Sequence, residues 1–461
     1  MAGHKFHHTV LREYDIRGTV GQTLSALDAH AIGRAFGTLV VREGKGPKVV
    51  CVGYDGRLSS PELEAGLVRG LTESGVDVVR IGLGPTPMLY FSVFHLKAGG
   101  GIMVTGSHNP KDQNGFKFMF GTHSFFGDDI TRLGKLASAG DYVSGAGTAK
   151  EVRVNEAYVD TLAAALPKGI GLGTVAWDPG NGAAGEVLQA LVRKLPGKHV
   201  LINEKIDGHF PAHHPDPTVA ENLVQLQDLV KANKAVVGIG LDGDGDRIGV
   251  VDDQTGILWA DMLLALLARE VLAARPGAQV IADVKSSSVL FDEITRLGGK
   301  PLMWKTGHAL IKSKMAELNA PLAGELSGHI FFADRYFGYD DALYAAIRLL
   351  SLLGTTGKPL SRIRSELPGL VNTPELRFFC AEERKFAVVD EVRDRLKAKG
   401  AKVSDIDGVR VTTADGWWLL RASNTQAALI ARAEAKDQPA LDRLRMEVSR
   451  ELGLSGVKLP D

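Results

Sequence analysis

The chain has 461 residues, of which 44% are hydrophobic and 23% charged, proportions ordinary for a folded protein. At about 150 residues per domain, three or four domains are expected, enough to bury several cores without disulfide or metal staples. Lys+Arg and Asp+Glu each total 54, so no global field draws the protein to nucleic acid or to an anionic membrane, and any anion site must be local.

Residues 1–10 contain no apolar leader segment, and no run approaches the ~18 apolar residues of a membrane span. Two cysteines, Cys51 and Cys380, rule out a disulfide framework. Cys51 lies inside an apolar run and reads as a small core residue. A reduced, cytoplasmic protein is expected, with neither a nucleic-acid nor a membrane partner.

In chain order, residues 49–54 read as a strand, followed by a helix that Ser60-Pro61 opens and Gly75 ends. Strands follow at 76–81 and 101–104. The rhythm restarts at 174–177, where a strand runs into Asp178-Pro179-Gly180-Asn181-Gly182 and then a helix to about residue 194. It restarts again at 279–282, with Asp283-Val284-Lys285-Ser286 and another helix behind it. Asp55-Gly56-Arg57 holds the same place in the first unit. Three units of apolar strand, Asp-containing loop and helix predict three related α/β domains with mixed, mostly parallel sheets. The last stretch differs: strands at 375–379, 408–412, 417–420 and 427–432, with helices near 386–399 and 439–452, predict a smaller α+β domain. Residues 366–372, with Pro368 and Gly369, read as the linker to it. The expected domains are 1–150, 151–255, 256–368 and 369–461.

Four motifs carry chemistry. Thr105-Gly106-Ser107-His108-Asn109-Pro110 follows the strand 101–104, at the carboxyl edge where open α/β sheets bind ligands. That placement predicts an exposed Ser107 hydroxyl, with His108 and Lys117 near enough in sequence to handle protons or anionic oxygen. By itself the motif reads better as an ordinary Ser-His-Asn-Pro turn. Asp242-Gly243-Asp244-Gly245-Asp246-Arg247 sits between strands at 236–241 and 248–251, and three alternating carboxylates can converge on one hard cation. An EF-hand loop would need Gly where Arg247 stands. A dinucleotide fingerprint would set a pyrophosphate against three carboxylates. Magnesium prefers few carboxylates plus phosphate oxygens, so this loop calls for a phosphate partner.

Gly324-Glu325-Leu326-Ser327-Gly328-His329 sets Glu325, Ser327 and His329 at alternate positions, which in an extended segment face one side and suit sugar hydroxyls. A hydrogen-bonded surface strand explains it equally. Arg421-Ala422-Ser423-Asn424-Thr425 combines a guanidinium fork with small polar donors, the composition of a phosphate pocket. A polar turn with an incidental arginine is the alternative. Each motif falls in a different expected domain and follows a strand, and together they supply hydroxyl, metal ligands, sugar face and phosphate clamp.

From Arg12-Glu13-Tyr14-Asp15-Ile16-Arg17-Gly18 to Arg421-Ala422-Ser423-Asn424-Thr425, nearly the whole chain resembles the α-D-phosphohexomutase superfamily, and within it the bacterial phosphomannomutase/phosphoglucomutase group. The resemblance implies four domains around a central cleft, the fourth like the TATA-binding-protein α+β fold. It implies a phosphoserine at Ser107 and Mg²⁺ on Asp242, Asp244, Asp246 and the Ser107 group. Arg247 belongs to the same loop. Sugar recognition falls to Glu325, Ser327 and His329, and phosphate binding to Arg421, Ser423, Asn424 and Thr425. Tyr14, Arg17, Lys117, Lys285 and His308 match further cleft positions. The implied reaction moves phosphate between O6 and O1 of mannose or glucose through a hexose 1,6-bisphosphate, which also serves as activator, in a monomer. His329, His308 and Lys117 stand open as general bases. A phosphoglucosamine mutase is the alternative; its loop usually reads Glu-Gln-Ser-Gly-His, whereas Leu326 fits the mannose/glucose type.

Overall fold

The computed structural model describes residues 3–423 and 427–459. Four sheets organise it, and the first three repeat one plan. Val49–Tyr54 is flanked by parallel neighbours Asp77–Leu83 and Gly100–Val104. Thr174–Asp178 lies likewise between Lys198–Leu201 and Val237–Leu241, and Gln279–Asp283 between Lys300–Trp304 and Leu322–Gly324. In each sheet the latter neighbour then turns back antiparallel, into Gln113–Phe120, Ile248–Asp252 or Ile330–Phe332. The expected related α/β units are therefore present as one repeated topology. The fourth sheet is antiparallel throughout, ordered Val371–Asn372, Ala428–Ala435, Gly416–Ala422, Val409–Thr412, Lys402–Ser404, with Leu376–Phe379 also on Ala428–Ala435. Helices Lys385–Ala398 and Gln438–Gly453 accompany it, the α+β arrangement anticipated.

Several elements escape the sequence reading. Ile16–Thr19 pairs with Gln113–Phe120 at the edge of the first sheet. Helix Ala26–Glu43 packs on helix Ser60–Glu73, where a side chain at Gly33 would meet Leu67 O at 2.3 Å. The two backbones touch there, so these glycines mark a close helix crossing, although in sequence glycine reads as a helix breaker. Part of the expected linker is itself a strand, Val371–Asn372.

The apolar interior is unevenly divided. One continuous cluster runs from Cys51 and Tyr90 through Trp177 and Leu266 to Leu350, joining the first three units. The fourth keeps its own core around Val388, Trp418, Leu429 and Leu444. Val284, Trp417 and Leu419, with partly buried Met303 and Ile406 against them, form a small apolar patch where it meets the third. Cys51 and Cys380 are buried free thiols, and burial pushes Cys51 up to about 11, as fits a core residue. No helix among the described residues is long and apolar enough to cross a membrane.

Candidate active site

Ser107 opens the turn that follows Gly100–Val104, closed by Asn109 N donating to Gly106 O at 2.9 Å, and has a left-handed backbone, φ 48°. Contrary to the expected exposed hydroxyl, the residue is only 1% accessible. The aspartate loop of the second unit covers it. A side chain at Gly243 would meet Ser107 O at 2.3 Å, so glycine there lets the two loops touch. Ser107 Oγ donates to Asp242 Oδ2 at 2.9 Å and lies 3.2 Å from His108 Nδ1.

Asp242, Asp244 and Asp246 are fully buried, and their ligand atoms lie within 4.8 Å of one another. Asp244 Oδ1 has no hydrogen-bond partner, and Asp246 Oδ1 has only His329 Nε2 beside it. Buried carboxylate oxygens without donors are costly. A hard cation satisfies such a set, so the residues fit a divalent metal. Lys117, on strand Gln113–Phe120, ion-pairs with Asp244 at 2.8 Å and also with Asp246. Burial opposes its charge, but these carboxylates outweigh that and hold the ammonium above its usual range. Burial and the neighbouring aspartates push Asp242 up.

The third unit closes the cluster. Arg247 bridges His329 through the backbone, and Ile248 N donates to Gly328 O at 3.0 Å. Residues 325–329 are not the extended segment expected. They form the tight turn between Leu322–Gly324 and Ile330–Phe332, closed by Gly328 N to Glu325 O at 3.0 Å. The three side chains still converge. His329 Nδ1 stands 3.1 Å from both Glu325 Oε2 and Ser327 Oγ, and Nε2 3.2 Å from Asp246 Oδ1. Burial disfavours its charge, yet Asp246 and Glu325 raise it to about 9. His308 stacks at 5.5 Å on His329. Both its ring nitrogens lack hydrogen bonds, and burial, with Lys312 and Lys117, holds it well below the ordinary range. Burial, Arg247 and Arg17 do the same to His108.

A second group of polar residues belongs to the junction with the fourth unit. Arg421 is 4% exposed and pairs with Asp407 at 3.0 Å. Asp407 Oδ2 also accepts Thr306 N at 3.0 Å. Lys285 Nζ binds Glu375 at 3.1 Å. Ser423 N donates to Ala428 O, and its carbonyl accepts from Lys385. Asn424 and Thr425 lie outside the described residues. The 306–307 turn links both groups. Tyr14 Oη donates to Thr306 O at 2.8 Å, and Gly307 N donates to Glu325 Oε1 at 2.6 Å. Arg17 binds Asp15 and Asn109, at 2.6 and 2.7 Å.

The sequence reading did not single out Thr86, Thr105 or Asp340. Thr86 Oγ1 donates to Asp244 Oδ2 at 2.5 Å, and Thr105 Oγ1 lies 3.2 Å from the same oxygen. Asp340 Oδ2 lies 3.7 Å from both His308 and His329. Thr105 sits within a recognised motif, whereas nothing local in sequence marks Thr86 or Asp340.

The sequence matches four family profiles, described as phosphoglucomutase/phosphomannomutase alpha/beta/alpha domain I over residues 8–133, domain II over 156–256, domain III over 259–370, and C-terminal domain over 375–451. The chain belongs to this family. It is 41% identical over 456 residues to a phosphomannomutase/phosphoglucomutase of Pseudomonas aeruginosa, covering 98% of this chain and 97% of that one. A phosphoglucomutase of Neisseria gonorrhoeae is 41% identical over 442 residues, covering 95% of each. A crystal structure of a phosphoglucomutase/phosphomannomutase family protein from Burkholderia thailandensis superimposes with a TM-score of 0.91 at 41% identity, over 99% of this chain and 100% of that one. In this phosphoglucomutase/phosphomannomutase family member, the central strands of all four sheets fall within regions matched by the family profiles, while edge strands Ala149–Glu151, Ile257–Leu258 and Val371–Asn372 lie between those regions.

Proposed function

We propose that this chain is a metal-dependent phosphohexomutase, moving phosphate reversibly between O6 and O1 of mannose or glucose through phospho-Ser107 and a hexose 1,6-bisphosphate. The observation that carries this reading is the bond from Ser107 Oγ to Asp242 Oδ2 at 2.9 Å, within a buried three-aspartate group in which Asp244 Oδ1 has no partner. A hydroxyl set into such a group suits a phosphoryl carrier beside a cation.

Asp242, Asp244, Asp246 and the Ser107 group would hold Mg²⁺, which when bound supplies positive charge to the phosphoryl oxygens. Lys117 and Arg247 add fixed charge there. The free sugar hydroxyl attacks phosphorus, the bond from phosphorus to Ser107 Oγ breaks, and the hydroxyl proton passes to a base. Of the three candidates, Lys117 and His329 are held charged in this arrangement and suit donation. His308 is held neutral with neither ring nitrogen in a hydrogen bond, so it can accept the proton, though burial makes it a weak base. The bisphosphate then turns over, and its other phosphate restores phosphoserine. Arg421, Ser423, Asn424 and Thr425 bind the non-reacting phosphate, and Glu325 and Ser327 read sugar hydroxyls. Tyr14, Arg17, Lys285 and His108 line the path. One chain supplies every one of these residues, so a monomer suffices.

Coupled assays with mannose 1-phosphate, glucose 1-phosphate and glucosamine 1-phosphate test the reading. Turnover of the first two with Mg²⁺ and catalytic glucose 1,6-bisphosphate supports it. A preference for the third moves the assignment to phosphoglucosamine mutase, and no turnover of any overturns it.

A further inference from the structure

The turn that carries Ser107 has no regular secondary structure of its own, and its serine sits at φ 48°, a conformation that costs a non-glycine residue free energy. Something outside the turn must hold it. Arg57, with a side chain 0% exposed, lies directly beneath. Its Nη1 donates to Pro110 O at 2.6 Å and Gln113 O at 3.0 Å. Its Nη2 donates to Ser107 O at 2.8 Å and Asn109 O at 2.6 Å. A single planar fork thus gathers four carbonyls of residues 107–113, a pattern that an ammonium on a flexible stem cannot reproduce.

Asp55 completes the device. Its Oδ1 accepts Arg57 N at 3.0 Å and Ser60 Oγ at 2.6 Å. Its Oδ2 accepts Gly106 N at 3.0 Å and Thr105 Oγ1 at 2.8 Å, and Thr105 Oγ1 in turn accepts Ser107 N at 2.8 Å. The arginine therefore binds the carbonyls of the turn while the aspartate organises the amides entering it. The pair sits at the joint of two units. The Phe210 ring of the second unit lies 5.2 Å from the Arg57 guanidinium carbon, and a side chain at Gly208 would meet Gly56 O at 2.6 Å. The turn is thus braced against the unit that contributes the aspartate loop.

We infer that Arg57, organised by Asp55, is a positioning residue that sets the place and direction of Ser107 Oγ relative to the aspartates. This rests on reading Ser107 as the phosphoryl carrier. Neither residue touches the reacting atoms, so their removal should slow transfer more than it weakens sugar binding. A misplacement of about 1 Å at a reacting centre costs on the order of a hundredfold in rate.

The test uses the full-length enzyme phosphorylated at Ser107 by glucose 1,6-bisphosphate, then mixed with glucose 1-phosphate, with phosphoserine discharge followed by intact mass. Arg57→Lys is expected to lower discharge and kcat by about a hundredfold while KM moves less than about threefold. Asp55→Asn should fall between it and the wild type. Leu67→Ala, a cavity in the buried core of the same unit, is the comparison for stability: it should melt earlier and discharge normally well below its melting point. If Arg57→Lys does not fold, Asp55→Asn decides by the same readout. A wild type that accepts no phosphate overturns the mutase reading and this inference with it. A wild type that discharges normally, matched within about twofold by both folded variants, overturns the inference alone, because lost packing without lost positioning leaves kcat intact.

Discussion

The Ser107 region and the Arg421 region both gather buried charge, yet they are built in opposite ways. The first lies where three units share one continuous core, and its loops bind one another directly. It is left short of hydrogen bonds: Asp244 Oδ1 and both His308 nitrogens have none. The second lies where a unit with its own core meets the rest. Arg421 there is already paired with Asp407, and the junction is largely polar. Arg410 donates to Val284 O and Ser286 O and stacks on Trp417, Arg432 donates to Lys285 O, and Ser288 donates to Glu434. The contrast separates an under-satisfied acidic centre that could hold a cation from an arginine already paired with a carboxylate. Fusion by a common core suits precise chemistry, and a polar junction suits movement.

Breaking the first region should have the largest effect. Ser107→Ala removes the carrier and little packing, so turnover should fall by more than about 10⁴-fold while melting and sugar-phosphate binding stay near wild type. Wild-type-like activity without added bisphosphate would refute the carrier role. Next, EDTA should abolish activity and Mg²⁺ restore it. Asp244→Asn should raise the Mg²⁺ requirement by at least about tenfold, since even residues that only support metal ligands cost that much. Full activity of a metal-free preparation counts against the aspartates as ligands.

The second region should respond more in KM. Arg421→Ala loses charge-assisted bonds worth about 1.5–3 kcal/mol, roughly 10- to 150-fold in KM, with a smaller change in kcat. Solution scattering sharpens the comparison: saturating glucose 1-phosphate should reduce the radius of gyration of the wild type and not of this variant. Arg410→Ala strips two carbonyls of their donor at the junction, which costs about 1–3 kcal/mol. It should speed limited proteolysis near residues 366–372 while leaving phosphorylation of Ser107 unchanged.

The smallest effect is a pH slope. Asp341 caps helix Ala342–Thr356 and accepts Tyr158 and Tyr336 hydroxyls at 2.8 and 2.7 Å. Burial raises its carboxyl to about 6, against partial relief from these bonds. The folded chain therefore binds this proton up to about pH 6, whereas the unfolded chain releases it near 4. Its contribution to stability is fully present below about pH 4 and is lost as pH rises to about 6. Melting curves of Asp341→Asn against wild type should diverge across that window by up to about 3 kcal/mol in favour of Asn, and run parallel outside it. Parallel curves throughout would remove the carboxylate from the account.

Much of the fold was legible where local pattern and final environment agree. The runs at 49–54, 174–178 and 279–283 are apolar on both faces and end in Asp-containing loops, which is how central parallel strands must look. Gln113–Phe120 was not legible, because Lys117 interrupts its apolar character. That lysine is buried only because two aspartates from another unit meet it. Helix Ala26–Glu43 was hidden by glycines that have meaning only once the neighbouring helix is in place.

The site divides along the same line. Sequence alone determined the chemical inventory, a hydroxyl, three carboxylates, a guanidinium fork and a Glu-Ser-His set, because glycine-spaced polar runs after strands are local features. Tertiary structure decided that Ser107 is buried on Asp242, that His329 sits between Asp246 and Glu325 while His308 has no hydrogen bond, that Arg421 is paired to Asp407, and that Arg57 gathers the carbonyls of the Ser107 turn. Each of these depends on what a distant segment brings within about 3 Å, and the strength of a charge or hydrogen bond in a dry interior depends on that neighbour far more than on the residues beside it in the chain.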